Sequence, residues 1–504
     1  MTQVPHFLDQ RAYLSPDRPA VLTDDTIWTF SDLRKMALMA RDDLVHRGVK
    51  PGQTVSLLVG NRPLSMALIH ALTYLRAVVV LLNTRLAPRE LVDQVNQAQS
   101  PWLFYDSQFS DRVTEILSGV KAQLGLQAVV LEDLFARSEA RRSGGPSRES
   151  IDLDDDQALI YTSGTTGRAK GVRLTYKNHW WSAVGSVLNL GLQEQDRWLL
   201  CLPVFHVSGL SVLFRSTIYG IPVVLHDHFD PERVHRDLQR HRVTQISVVA
   251  TQLERMLDVP GASYPGTLRV VLVGGGPVPG HLLDRALKRG VPVYQTYGLT
   301  ETASQVVTLS PEYIVSKRGS AGKPLFSAEL EIRQGGEVLP FDQVGEILIR
   351  GPMVTPGYRA AAGVEGLPLD GGWLRTGDIG HLDEEGFLYV HDRLRDLIIS
   401  GGENVYPAEI EAVLCEHPQV LDAGVVGTQD SEWGQVPVAF IQVEAESQLA
   451  EAEVLAFLRE RLAAYKLPKM VYQVDEIPRN AGGKILRRQL VQRLSAGSRD
   501  IDED

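Results

Sequence analysis

Gly164, Gly167 and Gly171 punctuate a run of hydroxyls, Thr162, Ser163, Thr165 and Thr166, that ends on Lys170. These residue types suit a polyphosphate. Glycine lets backbone N–H groups approach oxygens, hydroxyls donate hydrogen bonds, and lysine adds charge. The spacing is not that of a Walker loop, which needs GxxxxGK followed by Ser or Thr. Here Lys170 follows Ala169 and precedes Gly171, which disfavours a P-loop phosphotransferase; ADP as a product would revive it. Taken alone, the stretch reads either as a phosphate loop or as a flexible surface turn. Other residues say little in isolation. Lys484 and Glu301 read as solvated charges, Tyr297 as a core aromatic, Asp378 as a turn residue, and Gly274, Gly275 and Gly276 as a tight turn after a strand.

The chain that carries these residues has 504 residues, 44% hydrophobic and 22% charged, the composition of a globular protein of more than one domain. A formal net charge of -11 and scattered basic residues argue against nucleic acid or anionic lipid as a partner. Two cysteines, Cys201 and Cys415, are too few for a zinc cluster and read as reduced, mostly buried thiols in a cytoplasmic protein. The N-terminus lacks the pattern of a secretion signal, and the apolar runs fall short of the ~20 residues that a membrane helix needs.

The elements that must position these residues can be read from hydrophobic pattern. Short Val/Ile/Leu runs recur at 54–60, 76–82, 101–106, 158–164, 198–203, 222–227, 245–250 and 268–276. Segments of helical spacing such as 231–243 lie between them. This alternation predicts an α/β fold with largely parallel sheets. After about residue 325 the texture changes to strands and turns, as in 328–351, which predicts an antiparallel module. Past 391–402 a compact final section follows, closed by a last amphipathic helix over 450–465, with a domain boundary near Arg395. The stretch 137–150 reads as a mobile connection and 495–504 as a disordered tail.

The glycine and hydroxyl run resembles the TSGTTGxPKG signature of the adenylate-forming superfamily, which holds acyl-CoA synthetases, luciferase-like enzymes and peptide-synthetase adenylation domains. Further motifs of that superfamily follow in order: VVLLNTRLAPREL (79–91), PVFHVSGLS (203–211), VLVGGGPV (271–278), QTYGLTET (295–302), WLRTGDIG (373–380), HDRLRDLIISGGENVYPAEIE (391–411) and IPRNAGGKILRRQL (477–490). The resemblance covers essentially the whole chain. It implies a large N-terminal adenylation domain, residues 1–394, of α/β subdomains plus a small β-barrel-like subdomain. A hinged α+β lid domain, residues 395–504, follows.

The resemblance also implies roles. The loop from Thr162 to Lys170 (Thr162, Ser163, Gly164, Thr165, Thr166, Gly167 and Lys170) would clamp the β- and γ-phosphates of ATP. Tyr297, beside Gly298, would stack on adenine, with Gly275 and Gly276 along the same pocket. Thr300 would bond the α-phosphate, and Glu301 would hold Mg2+, which favours a carboxylate together with substrate phosphates. Asp378 would accept from the ribose hydroxyls, and Arg393 would contact the ribose. Lys484 would be the catalytic lysine, bridging the acid carboxylate and the α-phosphate in the crowded transition state. Arg395 would be the hinge, with Gly401, Gly402 and Glu403 lining the path of the thiol. The sequence departs from the superfamily pattern at Ala169, where proline is usual, at Asp392, where glycine is usual, and at Gly483, often threonine.

The acid and its acceptor follow from the rest. No carrier domain follows the Lys484 motif, so the expected acceptor is a free thiol, coenzyme A. His206, Gly274, Ser208, Arg215, Ser304 and Gln305 are the expected acyl pocket. His206 is also expected among the catalytic residues with Lys484, Thr300 and Glu301, against the alternative that it merely gates that pocket or packs in it. Residues 203–220 and 297–332 are similar to those of the 2-succinylbenzoate–CoA ligases of menaquinone biosynthesis, which implies an aromatic dicarboxylic acid. Arg215 would meet its benzoate carboxylate, against the alternative of a structural ion pair or a helix-face charge. Competing expectations are another aryl or fatty acid ligase on the same scaffold and a non-catalytic nucleotide-binding homologue. The expected assembly is a monomer or homodimer.

Overall fold

The computed structural model describes residues 3–136, 150–162, 169–276, 278–360, 363–365, 369–393, 397–443, 449–478 and 485–497. The chain divides into two compact units. The first takes Met1–Thr84, Gln94–Tyr161 and Gly171–Asp392; the second takes Arg85–Asp93, Thr162–Lys170 and Arg393–Asp504.

In the first unit each short apolar run forms a strand. Thr54–Leu58, Val78–Leu81, Trp102–Tyr105 and Asp156–Thr162 lie parallel within one sheet, of eight strands among the described residues. Trp198–Leu200, Val223–Leu225, Gln245–Val249, Val270–Gly274 and Val293–Leu299 lie parallel in a second, of nine. Such strands are covered on both faces by helices and therefore read as continuous apolar runs; Val79, Val80, Val270 and Val271 are fully buried. The predicted helix at 231–243 runs from Pro231 to Arg240, with proline in its first turn and Asp230 accepting the Arg233 N–H at 2.7 Å.

The segment expected to be barrel-like forms an antiparallel sheet. It joins Glu329–Gln334, Glu337–Val338, Gly345–Arg350, Leu369–Asp370, Trp373–Leu382 and Leu388–Arg393. One hydrophobic cluster fastens it to the nine-stranded sheet. Val306 and Val307 contribute from the strand Ser304–Leu309, next to the edge strand Lys323–Pro324, and Ile332, Ile347, Ile349 and Leu388 from the antiparallel strands, with Tyr297 packed against them. Each fully buried aliphatic side chain there contributes roughly 1.5–3 kcal/mol. This cluster sets the distance between two sheets that carry different site residues.

The second unit has its own core, built from Ile398, Val405, Ile410, Leu414, Val425, Ile441 and Leu458 among others. The helix expected over 450–465 is shorter, Glu451–Arg459, and Ala464–Lys466 forms a separate 3-10 turn. The Ala463 N–H donates to Glu90 Oε2 at 2.8 Å and not to a helical carbonyl, which draws the chain off the helix path. Nor is it the last helix: Arg487–Gly497 follows. The reading of two buried thiols is corrected as well. Cys201 is buried, and burial pushes its thiol up to about 12, whereas Cys415 is exposed at the end of the helix Pro407–Leu414. The expected connection at 137–150 lies outside the described residues except for Ser150, as does the boundary at Arg395, whereas the tail expected to be disordered from 495 begins inside the helix Arg487–Gly497, with only 498–504 outside the described residues.

Candidate active site

Tyr297 lies on the strand Val293–Leu299 at a β-bulge. Its pairing with Ser304–Leu309 is Tyr297 to Val307, then Gly298 to Gln305, so that the partner strand passes over Val306. Bulges re-aim side chains beside active sites, and here two consecutive residues, Val306 and Val307, are both buried. Gly298 permits the close approach: a Cβ there would stand 2.1 Å from Ser304 O. Gly274 ends the adjacent strand against Thr296, where a Cβ would come within 2.9 Å of the threonine methyl.

The chain then makes the 3-10 turn Thr300–Thr302 and leaves it through two left-handed residues, Ala303 (φ 52°) and Ser304 (φ 102°). Left-handed backbone away from glycine costs on the order of 1–3 kcal/mol per residue and persists only where the surroundings enforce it. The enforcement is visible. The Leu299 N–H donates to Thr302 Oγ1 at 2.9 Å, and the Thr302 hydroxyl reaches Ser304 O at 2.9 Å. The Ser182 hydroxyl donates to Ala303 O at 2.6 Å. Thr300 and Glu301 are thereby displayed on a braced turn. The Glu301 carboxylate accepts from the Tyr358 hydroxyl at 3.0 Å, and the Glu301 carbonyl accepts from the Thr355 N–H at 2.8 Å.

Asp378 arrives from the antiparallel sheet, again on an irregular strand. Between the pairs Glu346–Ile379 and Leu348–Arg375, three residues, 376–378, face one. The Asp378 N–H donates to Thr376 Oγ1 at 3.0 Å, and the Gly377 N–H to Glu346 Oε1 at 3.2 Å. The carboxylate is buried, at 2% exposure, and Oδ2 accepts from the Tyr297 hydroxyl at 2.6 Å.

Arg215 lies on the helix Val207–Tyr219, which His206 begins in an extended conformation, its ring 4.7 Å from that of Phe205. The Arg215 guanidinium is buried, at 1% exposure. Nη2 donates to Ser182 Oγ (3.0 Å) and Nη1 to Gln305 Oε1 (3.3 Å), and the group lies 5.7 Å from the centroid of the Trp198 ring. Among the described residues no carboxylate pairs with it and it is buried, so neither the structural ion pair nor the exposed helix-face charge weighed from sequence is found there. Burial lowers its pKa, but a guanidinium stays charged in proteins. Its charge also acts on His179, which burial and then Arg215 push down to about 3. Ser208 lies in the first turn of the same helix; its carbonyl accepts from Ser211, whose hydroxyl lies 3.5 Å from Ser304 Oγ.

The structure thus brings Tyr297 to Asp378, Arg215 to Gln305, and the helix of Ser208 to Ser304. In the second unit Gly401 (φ 57°) and Gly402 (φ 86°) make the two-residue turn of the hairpin Ile398–Ser400/Glu403–Val405. Glu403 is buried there and accepts from Arg85 Nη1 at 2.8 Å. Thr162 ends the strand Asp156–Thr162, and Lys170 begins Lys170–Thr175. Arg393 ends the strand Leu388–Arg393. Ser163, Gly164, Thr165, Thr166, Gly167, Arg395 and Lys484 lie outside the described residues. Tyr358 and Ser182 were not among the residues expected from sequence. Neither carries a local signal, because each acts on a partner 57 and 121 positions away, respectively. For Mg2+ the donor set fits: Glu301 is a single hard carboxylate on the turn that carries Thr300, suited to an ion completed by substrate phosphates and water.

The AMP-binding enzyme model matches residues 8–359, and the AMP-binding enzyme C-terminal domain matches residues 409–484. The chain belongs to the AMP-binding enzymes. This AMP-binding enzyme is 48% identical to the 2-succinylbenzoate–CoA ligase of Bacillus cytotoxicus, over 98% of this chain and 99% of that protein. Among solved structures it resembles the o-succinylbenzoate CoA synthetase of Bacillus subtilis, at 43% identity over 97% of this chain and 98% of that one. A double mutant of that synthetase bound with its product analogue gives a TM-score of 0.90, and the complex with its acyl-adenylate intermediate gives 0.74.

Proposed function

We propose that this AMP-binding enzyme is an ATP-dependent acid–CoA ligase that converts 2-succinylbenzoate to 2-succinylbenzoyl-CoA in menaquinone biosynthesis. In the first step the succinyl carboxylate oxygen attacks the α-phosphorus, and the bond to the β-phosphate breaks, releasing pyrophosphate. In the second the CoA sulfur attacks the acyl carbonyl, and AMP leaves with the electrons of the acyl–oxygen bond. The thiol proton passes to solvent.

In this reading Tyr297 stacks on adenine, Asp378 and Arg393 hold the ribose, and Thr300 bonds the α-phosphate. Glu301 would hold Mg2+, which would neutralise phosphate charge when bound, while the loop from Thr162 to Lys170 clamps the departing phosphates. Lys484 bridges the carboxylate and the α-phosphate, so attack brings two anions together without leaving their charge unbalanced. Residues from Arg395 onward act as a mobile lid that presents Lys484 for the first step and the turn of Gly401, Gly402 and Glu403 for the second. The reaction uses soluble substrates, and among the described residues no helix is long and apolar enough to cross a membrane. The enzyme works as a monomer or homodimer in a reducing cytoplasm.

The observation that carries the choice of acid is Arg215. Its buried guanidinium touches a hydroxyl, an amide oxygen and an indole ring. A buried cation held by neutral groups favours an anionic ligand, directly or through water, and a long-chain fatty acid offers none at its tail. The test supplies ATP, Mg2+ and CoA with 2-succinylbenzoate, benzoate or a medium-chain fatty acid and reads AMP. AMP formed selectively with 2-succinylbenzoate supports the proposal. A preference for the fatty acid, or ADP as product, would falsify it.

A further inference from the structure

Tyr297 and Asp378 belong to different sheets, and each lies where its strand is irregular. The cluster of Val306, Val307, Ile347 and Ile349 closes the gap between the two sheets and packs against the Tyr297 ring. At the end of that ring the hydroxyl donates to Asp378 Oδ2 at 2.6 Å, a charge-assisted bond at the short end of the usual range. The carboxylate is almost fully withdrawn from water. An ionised group so placed is costly unless hydrogen bonds hold it, and few rotamers remain open to it once they do.

We propose that Tyr297, besides the adenine stacking of the proposed function, is a positioning residue: its hydroxyl fixes the Asp378 carboxylate in the orientation that accepts from the ribose. The inference rests on the reading of Asp378 as the ribose acceptor. Each carboxylate oxygen carries two lone pairs, so Oδ2 goes on accepting from the Tyr297 hydroxyl while the group still accepts from ribose hydroxyls. Coupling the two contacts through one side chain makes recognition of the base and of the sugar mutually dependent. A nucleotide seated on the ring meets a carboxylate already aimed, with no rotamer left to be ordered on binding.

The experiment uses the full-length enzyme with 2-succinylbenzoate and saturating Mg2+, and measures pyrophosphate release with ATP and with 2′,3′-dideoxy-ATP. Tyr297→Phe keeps the ring and removes the hydroxyl. The expected result is a KM for ATP raised about tenfold with kcat within about twofold, the usual effect of losing one hydrogen bond to a charged group. The KM for the dideoxy nucleotide, already high in the unmodified enzyme, moves less than about twofold. Asp378→Asn should raise the KM for ATP, and adding Tyr297→Phe to it should cost no more, because the hydroxyl then has no carboxylate to hold.

Equal KM increases for both nucleotides, or additive effects in the double variant, would overturn the positioning role while leaving Asp378 as the ribose acceptor. An unmodified enzyme that takes both nucleotides with the same KM would overturn the ribose reading and the inference together. Thermal unfolding of each variant checks that it folds. If Tyr297→Phe is unstable, the nucleotide comparison on Asp378→Asn and on Tyr297→Trp, which keeps a stacking ring without the hydroxyl, decides the same point.

Discussion

The Tyr358 hydroxyl holds Glu301 Oε1 at 3.0 Å, while Thr355, three residues earlier, holds the Glu301 carbonyl through its N–H at 2.8 Å. One short segment thus orients both the backbone and the carboxylate of the candidate magnesium ligand. Groups that orient a metal-binding carboxylate are commonly worth roughly 10–100-fold in metal affinity or activity. Tyr358→Phe should raise the Mg2+ concentration for half-maximal pyrophosphate release about tenfold, with a melting temperature close to that of the unmodified enzyme. An unchanged Mg2+ dependence would remove Tyr358 from this role.

Arg215 and Ser182 can be separated. Ser182 braces the left-handed turn through Ala303 O and accepts from Arg215. Ser182→Ala should cost about 1–2 kcal/mol of stability, the scale of an unsatisfied buried group, and slow adenylation of every acid alike. Arg215→Leu should raise the KM for 2-succinylbenzoate at least about tenfold while the KM for ATP stays within about twofold. Recognition of the second carboxylate by Arg215 is withdrawn if its loss leaves the diacid KM unchanged, or if Ser182→Ala raises it equally.

The proposed mechanism gives Lys484 a part in one half-reaction only. Lys484→Ala should reduce acyl-adenylate formation by roughly 10²–10³-fold, the scale of losing a key electrostatic contact in the transition state. Thioester formation from supplied acyl-adenylate should stay nearly intact. Single-turnover assays of each half-reaction decide this; equal losses in both would sink the division of labour.

Acid sensitivity should follow His179. It stacks on Phe214 at 4.5 Å, and burial followed by the Arg215 charge lowers it to about 3. The folded state keeps the ring neutral, whereas the unfolded chain protonates it near 6.5. Its contribution to stability is therefore complete above about pH 6.5 and is lost as the pH falls from there toward 3. Each such histidine steepens the loss by up to about 1.4 kcal/mol per pH unit. Urea unfolding at pH 7, 6 and 5 should show this decline, and His179→Phe should make it shallower by one proton. An identical slope in the variant would refute the assignment.

Much of this protein was legible before folding was considered, for local reasons. The eight apolar runs became strands because a buried parallel strand needs nothing beyond a short Val/Ile/Leu stretch bounded by turn residues. The order of the motifs is likewise read directly along the chain. The same local logic failed at 450–465, where helical spacing continued but the Ala463 N–H found Glu90, 373 positions away. It failed again at Cys415, because a residue type alone does not say which side of a short helix meets solvent.

The sequence by itself determined the fold class, the order of the site motifs and the family, all of which depend on pattern and spacing along the chain. Only the tertiary structure decided which groups hold the site residues: Tyr297 on Asp378 across 81 positions, Tyr358 on Glu301 across 57, and Ser182 on Ala303 across 121. Hydrogen bonds of this kind depend on ångström-scale offsets. Those offsets come from where the strands bulge and how the Val306–Ile347 cluster seats one sheet on another, and packing sets them only when the whole core closes.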